Sequence, residues 1–294
     1  MSERAEKSNR ISLPGKPLTV AVCAVALAVV VTALCLFLKG PFYMKKAFKA
    51  AEQNEFSRAL SYTGSVSNEK AKALTDYLEL RLEINRTYPD LLADFDYAAI
   101  SDWNVRAKEL QTKSDLFTDK INADVSGITE KLGLICTLYD EYNSSIRSEV
   151  LDMMDIFGEI NRLYSAGSDG NNITFTVAEV NGKVDGWEKQ CNEINGYMMK
   201  IPGGMDIYLL SYLVSETRGE CSDLREAMNG ILDKGYSETD TVRVSGSGKK
   251  VFPAIRNNGG DSVSVAEKDK YEQFMFRSIC KALSENLSEF YTGM

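Results

Sequence analysis

A run of 21 consecutive uncharged residues near the N-terminus constrains this chain more than any other feature of its sequence. Residues 18–38, LTVAVCAVALAVVVTALCLFL, contain only Thr19 and Thr32 as polar members. At about 1.5 Å rise per residue, such a helix is roughly 30 Å long, which matches the hydrocarbon core of a bilayer. We therefore predict a transmembrane anchor at residues 18–38, preceded by a short cytoplasmic tail at residues 1–17.

A cleavable signal peptide is the alternative interpretation of this segment. Ala24-Val25-Ala26 and Ala26-Leu27-Ala28 have the small-x-small form of a cleavage site. However, the apolar run continues for ten residues beyond Ala28, whereas the apolar region of a signal peptide spans only about 7–15 residues in total. The sequence thus favours an anchor that is retained in the mature protein.

The orientation of the anchor is not decided by charge, because four basic residues lie close to the apolar run on each side. They are Arg4, Lys7, Arg10 and Lys16 before it, and Lys39, Lys45, Lys46 and Lys49 after it. A short basic tail that precedes a first span usually stays in the cytoplasm. We predict a single-pass cell-membrane protein with its N-terminus inside and its large domain outside. Lys45, Lys46 and Lys49 are expected to contact the lipid bilayer at its headgroups.

The rest of the chain has the periodicity of helices almost throughout. The longest pattern consists of apolar and aromatic residues that advance 29 residues in eight steps, or 3.63 residues per step: Ile135, Tyr139, Tyr142, Ile146, Val150, Met153, Phe157, Ile160 and Tyr164. This period is that of a nearly straight helix, whereas a sustained left-handed coiled coil has a period of about 3.5. We therefore expect this helix to pack inside a bundle.

Similar patterns predict the other helices and their buried faces. An N-capped helix should begin at residues 67–69 and end before Pro89. Helices are also expected over residues 177–199 and 206–234, with Gly235 ending the second. The inward positions expected on the first of these are Val180, Val184, Trp187, Cys191 and Ile194. On a last helix over residues 265–291 they are Tyr271, Phe274, Met275, Ser278 and Leu283.

A helical hairpin is predicted directly after the anchor, with helices at residues 44–53 and 56–62. The sequence between them, Asn54-Glu55-Phe56-Ser57-Arg58-Ala59-Leu60, resembles the turn of a tetratricopeptide hairpin. The 34-residue period of that family would place a second copy near residue 88, where the sequence supplies none. We interpret the segment as a single helical hairpin and assign it to no family.

These patterns together predict a mainly α protein, with one N-terminal transmembrane helix and an elongated helical-bundle domain that carries a minor β-hairpin. A helical region at residues 41–164, with the hairpin at its start, is followed by a linker or loop at residues 165–172, where eight turn-forming residues occur in a row. A second helical region spans residues 173–294. It includes a short hairpin or loop at residues 240–261, in which residues 241–244 would pair with residues 249–255.

Each catalytic or ligand-binding motif that the sequence suggests lacks at least one residue that the motif requires. The chain contains no histidine, which excludes Ser-His-Asp and Cys-His mechanisms and histidine-ligated zinc. Residues 245–250, SGSGKK, lack the first glycine of a phosphate-binding loop and the hydroxyl residue after its lysine. Residues 165–172 fail the calcium-loop spacing, because Ile173 stands at the third ligand position after Asp169 and Asn171.

The cysteines and carboxylates outside the anchor do not single out a site. Cys136, Cys191, Cys221 and Cys280 form no C-x-x-C pair, and we interpret them as buried apolar side chains, although disulfides stay open as an alternative. Acid pairs at helical spacing, such as Asp152/Asp155 and Glu220/Asp223, are interpreted as solvated faces. We therefore predict no catalytic, cofactor-binding or metal site and no cofactor.

The charge balance bears on partners. Of the 34 Lys and Arg and the 42 Asp and Glu, residues 1–40 hold five and two, which leaves residues 41–294 with 29 against 40, or a net charge of −11. Such a domain lacks the basic patch that nucleic-acid binding needs. The sequence favours a protein that acts by protein–protein interaction, as a scaffold, an assembly factor or a subunit of an envelope complex. The alternative is a carboxylate-dependent hydrolase that acts on envelope glycan.

Overall fold

The protein is mainly helical and carries one small two-stranded antiparallel sheet. The computed structural model describes residues 16–166, 172–203, 207–245 and 265–292, and it describes their side chains except at residues 16–24, 33–38 and 265–267. The chain divides into two compact units. The first comprises Met1–Leu82 with Lys113–Asn122, and the second comprises Glu83–Thr112 with Ala123–Met294.

The first unit contains the predicted helical hairpin. Helix α1 (Lys16–Glu52) and helix α2 (Phe56–Thr63) pack against each other around a tight turn, in which Asn54 has a positive φ of 62°. Helix α3 (Glu69–Ala93) begins in this unit, where Asn68 accepts a 2.7 Å hydrogen bond from the backbone N–H of Ala71. The predicted hairpin is therefore confirmed, and the N-cap of α3 lies where the sequence indicated.

Helix α1 extends well before the hairpin, since it begins at Lys16 and continues without interruption through Pro41. Across the residues whose side chains the structure describes, no helix is long and apolar enough to cross a membrane. Residues 18–24 and 33–38 of the predicted anchor lie outside those residues.

The C-terminal end of helix α3 differs from the prediction. The sequence predicts that Pro89 ends this helix, but α3 continues to Ala93 with Pro89 inside it. Proline removes only one backbone donor, the one that would bind the carbonyl of Asn85. Tyr88 and Leu91 are both buried, so continuing the helix keeps two large side chains packed on either side of the proline.

The second unit is built around a bundle of four helices. One side is a long segment made of α5 (Asp119–Glu141), a π-helical turn (Tyr142–Ile146), α6 (Arg147–Met153) and α7 (Asp155–Tyr164). The other three helices are α8 (Val177–Lys200), α9 (Tyr208–Leu232) and α10 (Val265–Glu285). Contacts link α6 to α8, α8 to α9, α9 to α10 and α10 to α6, which closes the ring. Helix α4 (Tyr97–Gln111) also belongs to this unit.

Ion pairs between neighbouring helices show that these helices run antiparallel. Lys200 near the end of α8 contacts Glu141 at 2.5 Å, and Lys183 near its start contacts Glu159 at 2.9 Å. On the opposite side, Arg225 of α9 binds Glu188 of α8 at 2.7 Å. The helix of 3.63-residue period therefore packs in a bundle, as its sequence predicted.

That helix is not straight throughout. The π-helical turn widens it at Tyr142–Ile146, and a further break falls at Met154. Ser144 and Ser145 both donate to the carbonyl of Glu141, at 3.3 and 3.1 Å, and Asn143 donates to the carbonyl of Tyr139 at 2.9 Å. Hydroxyl and amide side chains thus bind backbone carbonyls at this turn, and such bonds often accompany a bend in a helix.

One strand of the predicted β-hairpin is present at Val242–Val244 (β2), and it has a partner that the sequence did not indicate. It pairs antiparallel with Ile173–Phe175 (β1), which lies about 70 residues earlier in the chain. Its expected partner, residues 249–255, lies outside the described residues. Phe175, Val242 and Val244 are buried in the core that also includes α7, α8 and α9. The sheet therefore forms because its apolar side chains complete this core.

The buried face of α10 also differs from the prediction. Met275 and Leu283 are buried as expected, whereas Tyr271 and Phe274 are exposed. Glu272 takes the inward position because it is satisfied there by partners from the long helix. A pattern of apolar residues does not reveal a buried carboxylate. The buried face predicted for α10 is therefore rotated about the helix axis from the observed one.

Candidate functional site

The candidate site is a groove of 380 Å³ between α6–α7 and α8 in the second unit. One wall presents three acids at successive turns, Asp152, Asp155 and Glu159. The other wall presents Lys183, Gly186, Trp187 and Gln190. The spacing of three and four residues on each wall places each set along one edge of its helix.

Part of this lining is fixed by ion pairs. Glu159 is only 7% exposed, and it accepts hydrogen bonds from Arg162 at 2.6 Å and from Lys183 at 2.9 Å. Burial alone would raise the pKa of Glu159, but the two cations outweigh it and lower the pKa. Asp155 is held by Lys268 of α10. Three cations therefore hold two carboxylates of the lining in place.

The remaining lining includes two oxygen acceptors that have no protein donor among the described residues. Asp152 is exposed and has no ion pair within the described ranges. Gln190 Oε1 is buried and finds no hydrogen-bond partner there. Glu149 lies one turn further along α6, outside the groove lining, and its partner is another acid. Buried acceptors without donors are rare in native proteins and each calls for an explanation.

Glu149 is paired with a second acid on the facing helix, Glu193 of α8. Burial and a side-chain hydrogen bond with Glu193 raise the pKa of Glu149 to about 7. The pKa of Glu193 is lowered, first by the hydrogen bond from Lys189 and then by the one from Glu149. Since two carboxylates cannot share a hydrogen bond without a proton, Glu149 holds that proton up to about neutral pH.

The two acid pairs that the sequence singled out have different environments. Asp152 and Asp155 are exposed, as predicted, and line the groove; within the described residues Asp155 has an ion pair and Asp152 has none. The solvated face predicted for Glu220 is wrong, because Glu220 of α9 is buried. Burial, followed by the charges of Asp223 and Glu216, raises its pKa to about 7. The sequence did not reveal the Glu149–Glu193 pair, because its members lie 44 residues apart on different helices and share no spacing signal.

The four cysteines beyond the predicted anchor are free thiols. Cys191, Cys221 and Cys280 are buried, which agrees with their interpretation as small apolar side chains, and Cys136 is half-buried. No group of three or more His, Cys, Asp and Glu in the described part of the chain comes together to hold a metal ion. Most of the two glycine-rich segments considered from the sequence, residues 246–250 and 167–171, lies outside the described ranges.

A second surface feature lies where α8 ends and α9 begins, and we call it the tip patch. It consists of Met199, Tyr208 and Tyr212, which are 76%, 74% and 52% exposed. The two tyrosine rings stack with centroids 6.1 Å apart. Ser211 contacts the sulfur of Met198 at 3.8 Å, so the end of α8 and the start of α9 are held together beneath the patch.

No protein-family model, curated protein or solved structure matches this chain.

Proposed function

We propose that this protein is anchored in a membrane by residues 18–38 and acts by binding a protein partner through its helical part, as a scaffold, an assembly factor or a subunit of an envelope complex. The observation that carries the proposal is the tip patch. Large exposed apolar side chains that cluster at one place are typical of interaction sites. Tyrosine is enriched at such sites because its ring buries a large area while its hydroxyl still forms a hydrogen bond.

The membrane anchor is supported by the described part of its helix. Residues 25–32 are exposed throughout, including Val25, Leu27 and Val29. A helix that exposes apolar side chains around its circumference is suited to lipid. In water the same surface would cost about 25 cal/mol for each Å² left exposed.

Aromatic and basic residues directly after residue 38 support the same interpretation. The Nζ of Lys39 lies 5.6 Å from the centre of the Tyr43 ring, and the Nζ of Lys46 lies 4.4 Å from that of Phe42. Such combinations of aromatic rings and lysines occur where a helix leaves the hydrocarbon core. In the proposed topology the N-terminus lies inside the cell and residues 39–294 lie outside. Protease added to intact cells should therefore digest that part of the chain, and protection would reverse the topology.

The alternative function, hydrolysis of envelope glycan by carboxylates, is supported only by the Glu149–Glu193 pair. Retaining glycosidases need two carboxyl groups about 5–5.5 Å apart, and inverting enzymes need about 6.5–9.5 Å. Glu149 and Glu193 share a hydrogen bond, which leaves no room for a sugar between them. This pair therefore does not supply the arrangement that either mechanism needs.

Crosslinking in the native host tests the binding function. Wild type should crosslink to a defined partner, and the double substitution Tyr208→Ser/Tyr212→Ser should abolish that product. Tyr236→Ser is the matched control, because Tyr236 is also exposed but lies beyond the end of α9. A crosslinked product that both variants retain equally would contradict the role of the tip patch, and the absence of any product would contradict the binding function.

A further inference from the structure

The groove between α6–α7 and α8 contains two kinds of polar group. Asp155, Glu159 and Lys183 are bound to charged partners. Asp152 has no ion pair, and Gln190 Oε1 has no hydrogen-bond partner, within the described residues. Both groups offer oxygen acceptors, and they lie on the two facing helices that line the groove.

A ligand that satisfies these groups must therefore be rich in donors. A buried acceptor left without a donor costs about 1–3 kcal/mol. The guanidinium group of arginine carries five N–H donors in one plane and no acceptor, and it keeps its positive charge at any physiological pH. It can bind a carboxylate such as Asp152 and an amide oxygen such as Gln190 Oε1 together, which a single water molecule does less well.

The shape of the groove also suits a long, flat side chain. Its volume of 380 Å³ is at the small end of the range for ligand sites, about 300–1,000 Å³. Gly186 leaves the wall open, since a Cβ built there would meet no atom within 4 Å. Trp187 also lines the groove, with 7% of its surface exposed.

We propose that this groove binds an arginine side chain presented by a basic segment of the protein partner. The inference rests on the proposed binding function and specifies the chemistry of that partner. The net charge of −11 over residues 41–294 agrees with it, because an acidic surface attracts a basic segment and repels an acidic one. The tip patch would then supply apolar contact, and the groove would supply charge recognition.

Calorimetric titration of the full chain in detergent micelles tests this inference. The probes are a peptide of alternating glycine and arginine, the same peptide with glutamate in place of arginine, and agmatine as a free guanidinium compound. The arginine peptide should bind saturably, the glutamate peptide should not bind, and agmatine should bind at least about tenfold more weakly because it lacks the backbone contacts of a peptide.

Two glycines of α8 provide a matched pair of variants. Gly186→Leu should fill the groove and lower the affinity for the arginine peptide at least about tenfold. Gly182→Leu lies one turn away, does not line the groove and also has open space at its Cβ. It should bind as wild type does. Both replacements favour helix formation over glycine, so circular dichroism should show an intact fold in both.

Charge variants give an independent readout. Asp152→Asn should lower the affinity for the arginine peptide about fivefold, as expected for the loss of one exposed ion pair. Glu226→Gln removes the same charge from an exposed position on α9 and should have no such effect. Equal binding of the glutamate peptide, unchanged binding in Gly186→Leu, or agmatine binding as tight as the peptide would each overturn the inference. If Gly186→Leu and Asp152→Asn do not weaken binding of the arginine peptide, but Tyr208→Ser/Tyr212→Ser still abolishes crosslinking, the proposed function stands without this inference.

Discussion

The hydroxyl of Tyr142 donates a 3.0 Å hydrogen bond to Oε1 of Glu272, a residue 130 positions later in the chain. Both side chains are buried, and Arg147 adds an ion pair to the same carboxylate at 3.1 Å. The bond ties the π-helical turn to α10. Burial, followed by the charge of Glu272 and this hydrogen bond, raises the pKa of the Tyr142 hydroxyl, which therefore keeps its proton and remains a donor.

Replacing Tyr142 by Phe should lower the free energy of unfolding by about 2 kcal/mol. The substitution keeps the ring but removes one donor from a buried carboxylate, and hydrogen bonds to charged groups contribute about 1.5–3 kcal/mol. Urea unfolding followed by circular dichroism measures the change. Tyr212→Phe is the control, since the Tyr212 ring is exposed. Equal stability of the two variants would mean that the Tyr142–Glu272 bond contributes nothing net.

Glu220→Gln should stabilise the protein above neutral pH and leave it unchanged in acid. The pKa of Glu220 rises from 4.5 to about 7 on folding, so the folded protein binds this proton more tightly than the unfolded chain does. Its contribution to stability is therefore full below pH 4.5 and is lost as the pH rises through about 7. At pH 8 the ionised carboxylate is buried without a partner in the described part of the chain, and Gln removes that cost.

We expect a gain of about 2 kcal/mol for Glu220→Gln at pH 8 and none at pH 4.5. Urea unfolding at the two pH values measures the difference. Glu226→Gln, at an exposed position on the same helix, should show no pH-dependent gain. A gain that is equal at both pH values would point to packing or helix propensity, and the assignment of a raised pKa would then be wrong.

The rate of alkylation should differ among Cys136, Cys191, Cys221 and Cys280 according to how deeply each is buried. Burial raises the pKa of Cys221 and of Cys280 to about 12, and it also raises the pKa of Cys191 and Cys136. The thiolate is the reactive form, so iodoacetamide at pH 8 should modify half-buried Cys136 first. Peptide mass spectrometry of the native protein would measure the order. In denaturant without reductant all four should react, and any that resist would be in disulfides.

Charged substitutions in the apolar segment should release the protein from the membrane. Arg costs about 2.5–3.5 kcal/mol at the centre of a membrane helix, so Leu27→Arg/Val30→Arg should move much of the protein into the soluble fraction after alkaline carbonate extraction. Leu27→Val/Val30→Leu keeps the segment apolar and should remain in the membrane fraction. If the arginine variant is retained as fully as wild type, residues 18–38 are not the anchor.

Helix positions and most buried faces followed from the sequence. Val180, Val184, Trp187, Cys191 and Ile194 were predicted to face inward on α8, and all five are buried. The turn after α9 likewise contains Gly235 with a positive φ of 93°, as its expected role in ending that helix requires. These features depend on residues within one or two helical turns of each other, so a pattern read along the chain is sufficient to find them.

The errors arose where a distant residue changed the local outcome. Tyr271 and Phe274 were expected in the core of the bundle, but Glu272 occupies that face because Tyr142 and Arg147 satisfy its carboxylate. The β2 strand was recognised, yet its partner β1 could not be, since a three-residue strand carries too little pattern to select one pairing over another.

The sequence by itself therefore determined the helical class, the uninterrupted apolar segment and the faces of the helices that lack buried charges. These properties follow from backbone hydrogen bonds four residues apart and from the side-chain periodicity that they impose. Only the tertiary structure brought Glu149 to Glu193 and opened a groove beside Gly186. Those contacts depend on which helices pack together and in which direction, and that choice is made by long-range packing, which no local period encodes.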